Sequence, residues 1–217
     1  MSDYAAWPAR DRLRHMGRTS SPGSWSLRRR YGHLVHTGRV LPMSSALVVI
    51  DVQESVLAGC ADVPEVLKRI NVLARRARQE GVPVLFIQHE DPDDPELRRG
   101  SPGWQLATGL ERLDGDAVMP KAYRDSFAET ALADLLATSG VRRLVIAGAH
   151  SDYCVQMSAL SAVIRGYDVT LVSDGHTAED DGELPGARIR DLVNARFASL
   201  RAPGRAIAVT PAAEITF

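Results

Sequence analysis

An acid, a cation and a thiol draw attention because each comes soon after an apolar run that reads as a β-strand. Asp51 directly follows Leu47-Val-Val-Ile50. Lys121 lies two residues beyond Val118-Met119, and Cys154 follows Leu144-Val-Ile-Ala147 through the loop Gly148-Ala-His-Ser-Asp-Tyr153. Together these groups can build a nucleophilic site. A thiol titrates at about 8.5, so it needs help to attack as a thiolate at neutral pH. A helix N-terminus and a nearby ammonium both stabilise a thiolate. Cys154 reads as opening a helix, with Lys121 beside it. Asp51 can accept the thiol proton and return it to a leaving amine, as general base and then general acid. The backbone N–H groups of His150 and Cys154, at the start of that helix, are candidate oxyanion donors. This scheme calls for no metal and no organic cofactor.

Each residue also has a plainer explanation. An Asp after a strand often serves as a turn or cap residue. An isolated Lys is normally solvated, and Cys is among the most buried residue types. Those explanations do not predict that three such residues share one edge of a sheet. Cys60 has no comparable setting and reads as a passive loop thiol. His150 is also weighed as the base of a Cys–His pair.

The elements that must position these residues alternate along the chain. Ala46–Ile50 is a continuous β-rich apolar run, as expected of a strand buried on both faces. Asp62-Val-Pro-Glu65 then reads as a helix start, with Asp62 as N-cap and Pro64 in the first turn. Val66, Leu67, Ile70, Leu73, Ala74 and Ala77 recur at helical spacing until Gly81. Further strands are read at 83–87, 117–119, 144–147, 169–172 and 206–209. Helices are read between them around Leu132–Leu136, at 154–165 and around Ile189–Leu200. This alternation predicts an α/β fold of three αβα layers: a Rossmann-like, six-stranded, mainly parallel sheet. Ligands of such sheets bind beyond the carboxyl ends of the strands, where Asp51, Lys121 and Cys154 fall.

The 217-residue length suits one domain. A net charge of −1 gives no pull towards nucleic acid or a membrane surface. No apolar run has the roughly 20 residues of a membrane span. The start of the chain lacks the apolar stretch of a secretory signal. With only two cysteines, the chain reads as a reduced, cytoplasmic protein. Residues 1–42 differ from the rest: eight Arg stand against two acids, and Ser, Gly and Pro interrupt any apolar period. They read as a disordered basic extension, with the folded domain at 43–217. Met43 opens the first well-patterned segment and is taken as the native translation start.

Several stretches resemble the isochorismatase-like cysteine hydrolases. They are Val48-Val-Ile-Asp-Val-Gln53, Lys121 with Asp125-Ser-Phe127, Gly148-Ala-His-Ser-Asp-Tyr-Cys-Val155, Gly166-Tyr-Asp-Val-Thr-Leu-Val-Ser-Asp174, and His176-Thr177. The resemblance covers about residues 45–217. It implies an Asp–Lys–Cys triad at Asp51, Lys121 and Cys154, and hydrolysis through a thioester-type acyl-enzyme. It also implies a cis peptide at Ala149–His150 and a substrate-facing role for Gln53. Trp104 and Tyr123 are expected to form flat walls of the substrate pocket. Members usually assemble as homodimers or larger homo-oligomers. Cys154 favours amide, lactam or ureido substrates. Gly100-Ser-Pro-Gly-Trp104 and Lys121-Ala-Tyr-Arg-Asp-Ser-Phe127 are most similar to the streptothricin-hydrolase-like branch, which opens a lactam. Metal-dependent nicotinamidases carry spaced histidines after the second strand. Here Gln88-His-Glu-Asp-Pro-Asp-Asp-Pro95 lacks them and reads as a solvated acidic loop, so no metal site is expected.

Other readings remain in competition. A nucleotide-binding module is disfavoured because Asp51-Val-Gln-Glu-Ser55 contains no Gly-x-Gly-x-x-Gly turn. A vinyl-ether hydrolase of the isochorismate type would use Asp51 as acid and dispense with Cys154. A catalytically silent small-molecule-binding protein would not need the triad.

Overall fold

The first strand, β1 (Ser45–Ile50), is buried along its whole length, as its unbroken apolar run requires. It sits at the centre of a computed structural model that describes residues 45–217. The basic extension and the start at Met43 lie outside the described residues. The other strands are β2 (Val84–His89), β3 (Ala117–Lys121), β4 (Arg143–Ala149), β5 (Asp168–Thr177) and β6 (Ile207–Thr210). They form one sheet in the order β3-β2-β1-β4-β5-β6, and every neighbouring pair is parallel. The sheet is therefore wholly parallel. Pro120 is tolerated because β3 is an edge strand, where a missing N–H breaks no central ladder.

The helices are α1 (Glu54–Leu57), α2 (Val63–Gln79), α3 (Leu132–Thr138), α4 (Gln156–Ile164) and α5 (Gly186–Ser199). Helices flank the sheet on both faces. On one face Ile70, Leu73, Ala74 and Ala77 of α2 join Leu47, Val49, Val145 and Ala147 in a core closed by Ala212 and Ile215. Val48 and Ile50 point the other way, because side chains alternate along a strand. Among the described residues no helix is long and apolar enough to cross a membrane.

Two local expectations change. Asp62 does not cap α2 with its side chain. Its backbone is left-handed (φ 53°) and its carboxylate pairs with Arg190 at 3.0 Å. A reachable guanidinium thus takes the carboxylate away from the helix amides. The helix read as beginning at Cys154 is preceded by a π-helical turn, Ser151–Val155, which holds the cysteine.

The strand order runs outward from β1 in one direction and from β4 in the other, so the crevice at their carboxyl ends is the switch point of the sheet. Gly148 makes the close approach of these two strands possible. Its φ is +126°, and a Cβ there would lie 2.0 Å from the Ile50 carbonyl oxygen. Neither the dihedral nor the space admits a side chain. The expected outcome for Gly148→Ala is a loss of about 3 kcal/mol or more in unfolding free energy, read by denaturant titration. Gly81→Ala, at a helix end with nothing within 4 Å of the added carbon, serves as the milder comparison.

Candidate active site

Asp51 leaves the end of β1 with φ 50° and is 1% exposed. Lys121, the last residue of β3, is 2% exposed. Its ammonium lies 2.7 Å from Asp51 Oδ2 and donates to Cys154 Sγ at 3.4 Å. The tertiary structure thus brings the three sequence-derived residues into contact. A buried ammonium requires a partner, and Asp51 supplies the charge. The second carboxylate oxygen, Oδ1, is buried with no hydrogen-bond partner among the described residues.

The thiol is not activated in the way its position at a helix start suggests. Burial pushes the Cys154 thiol up to about 12, and the Asp51 carboxylate pushes in the same direction. Lys121 opposes this, but does not win. Burial and the adjacent carboxylate thus both favour the protonated form of the Cys154 sulfur. Burial also pushes Cys60 up to about 12, in keeping with a passive thiol.

His89 belongs to this cluster, although the sequence places it in a loop read as solvated. Its Nδ1 lies 3.3 Å from Lys121 Nζ. Strand order explains why. β2 separates β3 from β1, a span of two strand spacings or about 10 Å, and His89 pairs in register with Lys121. A side chain reaching from the end of β3 to Asp51 passes the end of β2, where His89 stands. The signal in the sequence was the apolar run 83–87, which ends just before it. Without the strand order, that run could not be connected to Lys121.

Gln53 does not face substrate as expected. It is fully buried, and its amide donates to the carbonyls of His89 and Trp104, each at 2.9 Å. Its oxygen accepts the His89 N–H at 2.6 Å. Both amide hydrogens are consumed, so Gln53 ties the end of β2 to the loop that carries Trp104. Trp104 is held there through its backbone, and its indole Nε1 is buried without a partner among the described residues. Tyr123 is half exposed and lies two residues beyond Lys121.

The His150 ring donates Nε2–H to the Val56 carbonyl at 2.6 Å, because a carbonyl can only accept. The ring ties the cysteine turn to α1 and forms no Cys–His pair. The peptide Ala149–His150 is cis. A second buried chain holds the same turn. Asn194 donates Nδ2–H to Ser173 O at 2.8 Å, which leaves its oxygen to accept from His176 Nε2 at 3.0 Å. His176 Nδ1 then accepts from the Ser151 hydroxyl at 2.8 Å. Burial pushes His176 down to about 4, so the ring stays neutral. Among the described residues no cluster of three or more His, Cys, Asp or Glu is placed to hold a metal ion.

The model of the isochorismatase domain matches residues 45–200. The chain belongs to the isochorismatase family. Within that family it is 36% identical over 157 residues to a streptothricin hydrolase from Streptomyces noursei. That match takes in 71% of this chain and 62% of the relative, which is less than two thirds of its length. A cysteine hydrolase from Pseudomonas syringae pv. phaseolicola 1448A shares the fold, with TM-score 0.70 at 21% identity over 80% of this chain and 91% of that one. An N-carbamoylsarcosine amidase from Thermoplasma acidophilum superposes with TM-score 0.65 at 25% identity, over 81% of this isochorismatase-family chain and all of the other.

The opposing effects on Cys154 predict its chemistry in a Cys60→Ser background. Asp51→Asn should move the pH profile of iodoacetamide alkylation down by about a unit or more, and Lys121→Met should move it up. Peptide mass spectrometry gives both profiles; movement of either in the opposite direction would contradict the assigned causes. His176 predicts an acid-side effect. Its pKa falls from 6.5 unfolded to about 4 folded, so the unfolded state binds more protons between those values. Stability is therefore lost as pH drops through that window, by up to about 3 kcal/mol. Unfolding free energies of the wild type and His176→Gln between pH 7 and 4 should show the steeper slope in the wild type.

Proposed function

We propose that this chain is a cysteine-nucleophile amidohydrolase that cleaves an amide, lactam or ureido C–N bond of a small molecule. The observation that carries the proposal is the Lys121 ammonium, which touches both Asp51 and Cys154 in a buried crevice at the sheet's switch point. The Cys154 sulfur attacks the substrate carbonyl as its proton passes to Asp51. Because the resting thiol is protonated, proton transfer is coupled to attack. Lys121 offsets the negative charge that moves among sulfur, carboxylate and oxyanion. The backbone N–H groups of His150 and Cys154 are the proposed oxyanion donors. Collapse of the tetrahedral adduct breaks the C–N bond, and Asp51 returns the proton to the leaving nitrogen. Water, deprotonated by Asp51, then cleaves the thioester, releases the acid and restores the thiol.

The streptothricin hydrolase and N-carbamoylsarcosine amidase relatives support C–N cleavage. A flat or cyclic substrate suits an aromatic wall at Trp104, with the half-exposed Tyr123 as a second proposed contact. The two free cysteines suit action in a reducing cytoplasm. Assembly as a homodimer or larger homo-oligomer also belongs to the proposal. Tyr153, Met157 and Ile164, exposed at 42%, 48% and 85%, offer apolar surface for it.

A panel of lactams and N-carbamoyl amino acids tests the mechanism. Cys154→Ala should lower kcat by about a thousandfold or more, with Asp51→Asn of similar severity. Trapping a covalent adduct on Cys154 by rapid acid quench and mass spectrometry provides the direct check. Panel hydrolysis that survives Cys154→Ala would refute the cysteine nucleophile, and turnover of a vinyl-ether substrate by that variant would support the ether-hydrolase reading, in which Asp51 acts alone. No turnover of any panel member by a folded wild type would favour a binding protein.

A further inference from the structure

An ammonium has three N–H donors and no acceptor. Lys121 spends them on Asp51 Oδ2 at 2.7 Å, His89 Nδ1 at 3.3 Å and Cys154 Sγ at 3.4 Å. Its side chain is wholly buried, so a donor released from any of these partners has no water to turn to. Because the ammonium can only donate, Nδ1 of His89 must carry a lone pair, and the ring proton sits on Nε2. The imidazole is therefore neutral. Burial and the charge of Lys121 both hold the His89 pKa below the ordinary histidine range, against Asp51, Asp91 and Asp94. The backbone that carries the ring is also held, since the Gln53 side chain bonds both the N–H and the C=O of His89.

We infer that His89 is a positioning residue of the hydrolytic site: it takes the third N–H of Lys121 and so keeps the other two on Asp51 and Cys154. Two acceptors would leave the ammonium free to rotate about its terminal bond and abandon the sulfur, its longest contact. With His89 as third acceptor, the donor directions are fully assigned. Gln53 extends the device by one step. It orients the backbone of His89, His89 orients Lys121, and Lys121 bridges base and nucleophile.

This inference rests on the amidohydrolase reading for its purpose, but its test needs no substrate. The probe is iodoacetamide at fixed pH, reacting with Cys154 in the Cys60→Ser background. His89→Phe keeps a ring and excludes water but removes the acceptor. It should slow alkylation by about tenfold. His89→Asn places an amide oxygen near the former Nδ1 and should recover most of that rate. A Phe variant within about twofold of the wild type, or an Asn variant as slow as Phe, would overturn the role. Thermal melting reports whether each variant is folded. If His89→Phe does not fold, His89→Ala is measured with and without added imidazole. Recovery by imidazole supports the contact, and no recovery refutes it. Retained hydrolysis of the panel in Cys154→Ala would bring down the cysteine-nucleophile reading while leaving this comparison valid.

Discussion

The ammonium of Lys121 and the carboxylate of Asp51 meet at 2.7 Å with almost no surface left to water. Taking two such charges out of solvent is costly, and removing one partner of a buried pair costs about 3–5 kcal/mol. The pair therefore persists only because the fold holds both ends rigidly. Asp51 is anchored where β1 and β4 approach across Gly148, too closely for any side chain at that position. Lys121 is anchored as the last residue of an edge strand in register with β2. The position of Cys154 depends on this arrangement, because it reaches the pair through the turn that leaves β4.

The electrostatics of the pair also define the state of the thiol. A nearby lysine favours a thiolate, yet burial and the carboxylate outweigh it. The surroundings of Cys154 thus favour the protonated sulfur over the thiolate. Such an arrangement disfavours chemistry that needs a free thiolate. It also accounts for the polar scaffolding around the turn. His150 is bonded to Val56, while Ser151 is bonded through His176 to Asn194 on α5. Each of these groups is satisfied within the protein, as buried polar atoms require. Among the described residues the buried side-chain atoms without a hydrogen-bond partner are Asp51 Oδ1, the Trp104 indole nitrogen and Gln156 Oε1.

Much of this protein was legible in the sequence because its determinants are local. Continuous apolar runs identify the buried strands, helical spacing identifies α2, and alternation of the two predicts a parallel sheet. Reactive residues placed just after strands must lie on one edge of that sheet, which brought Asp51, Lys121 and Cys154 together before any coordinates. What only the tertiary structure decided is non-local. Strand order puts β2 between β3 and β1, and so draws His89 out of an apparently solvated loop onto Lys121. Folding also buries Gln53 and spends its amide on the end of β2 and the loop that carries Trp104. The state of Cys154 depends on how much water the neighbouring elements exclude. Proximity and desolvation are properties of the packed chain, and no spacing along the sequence encodes them one residue at a time.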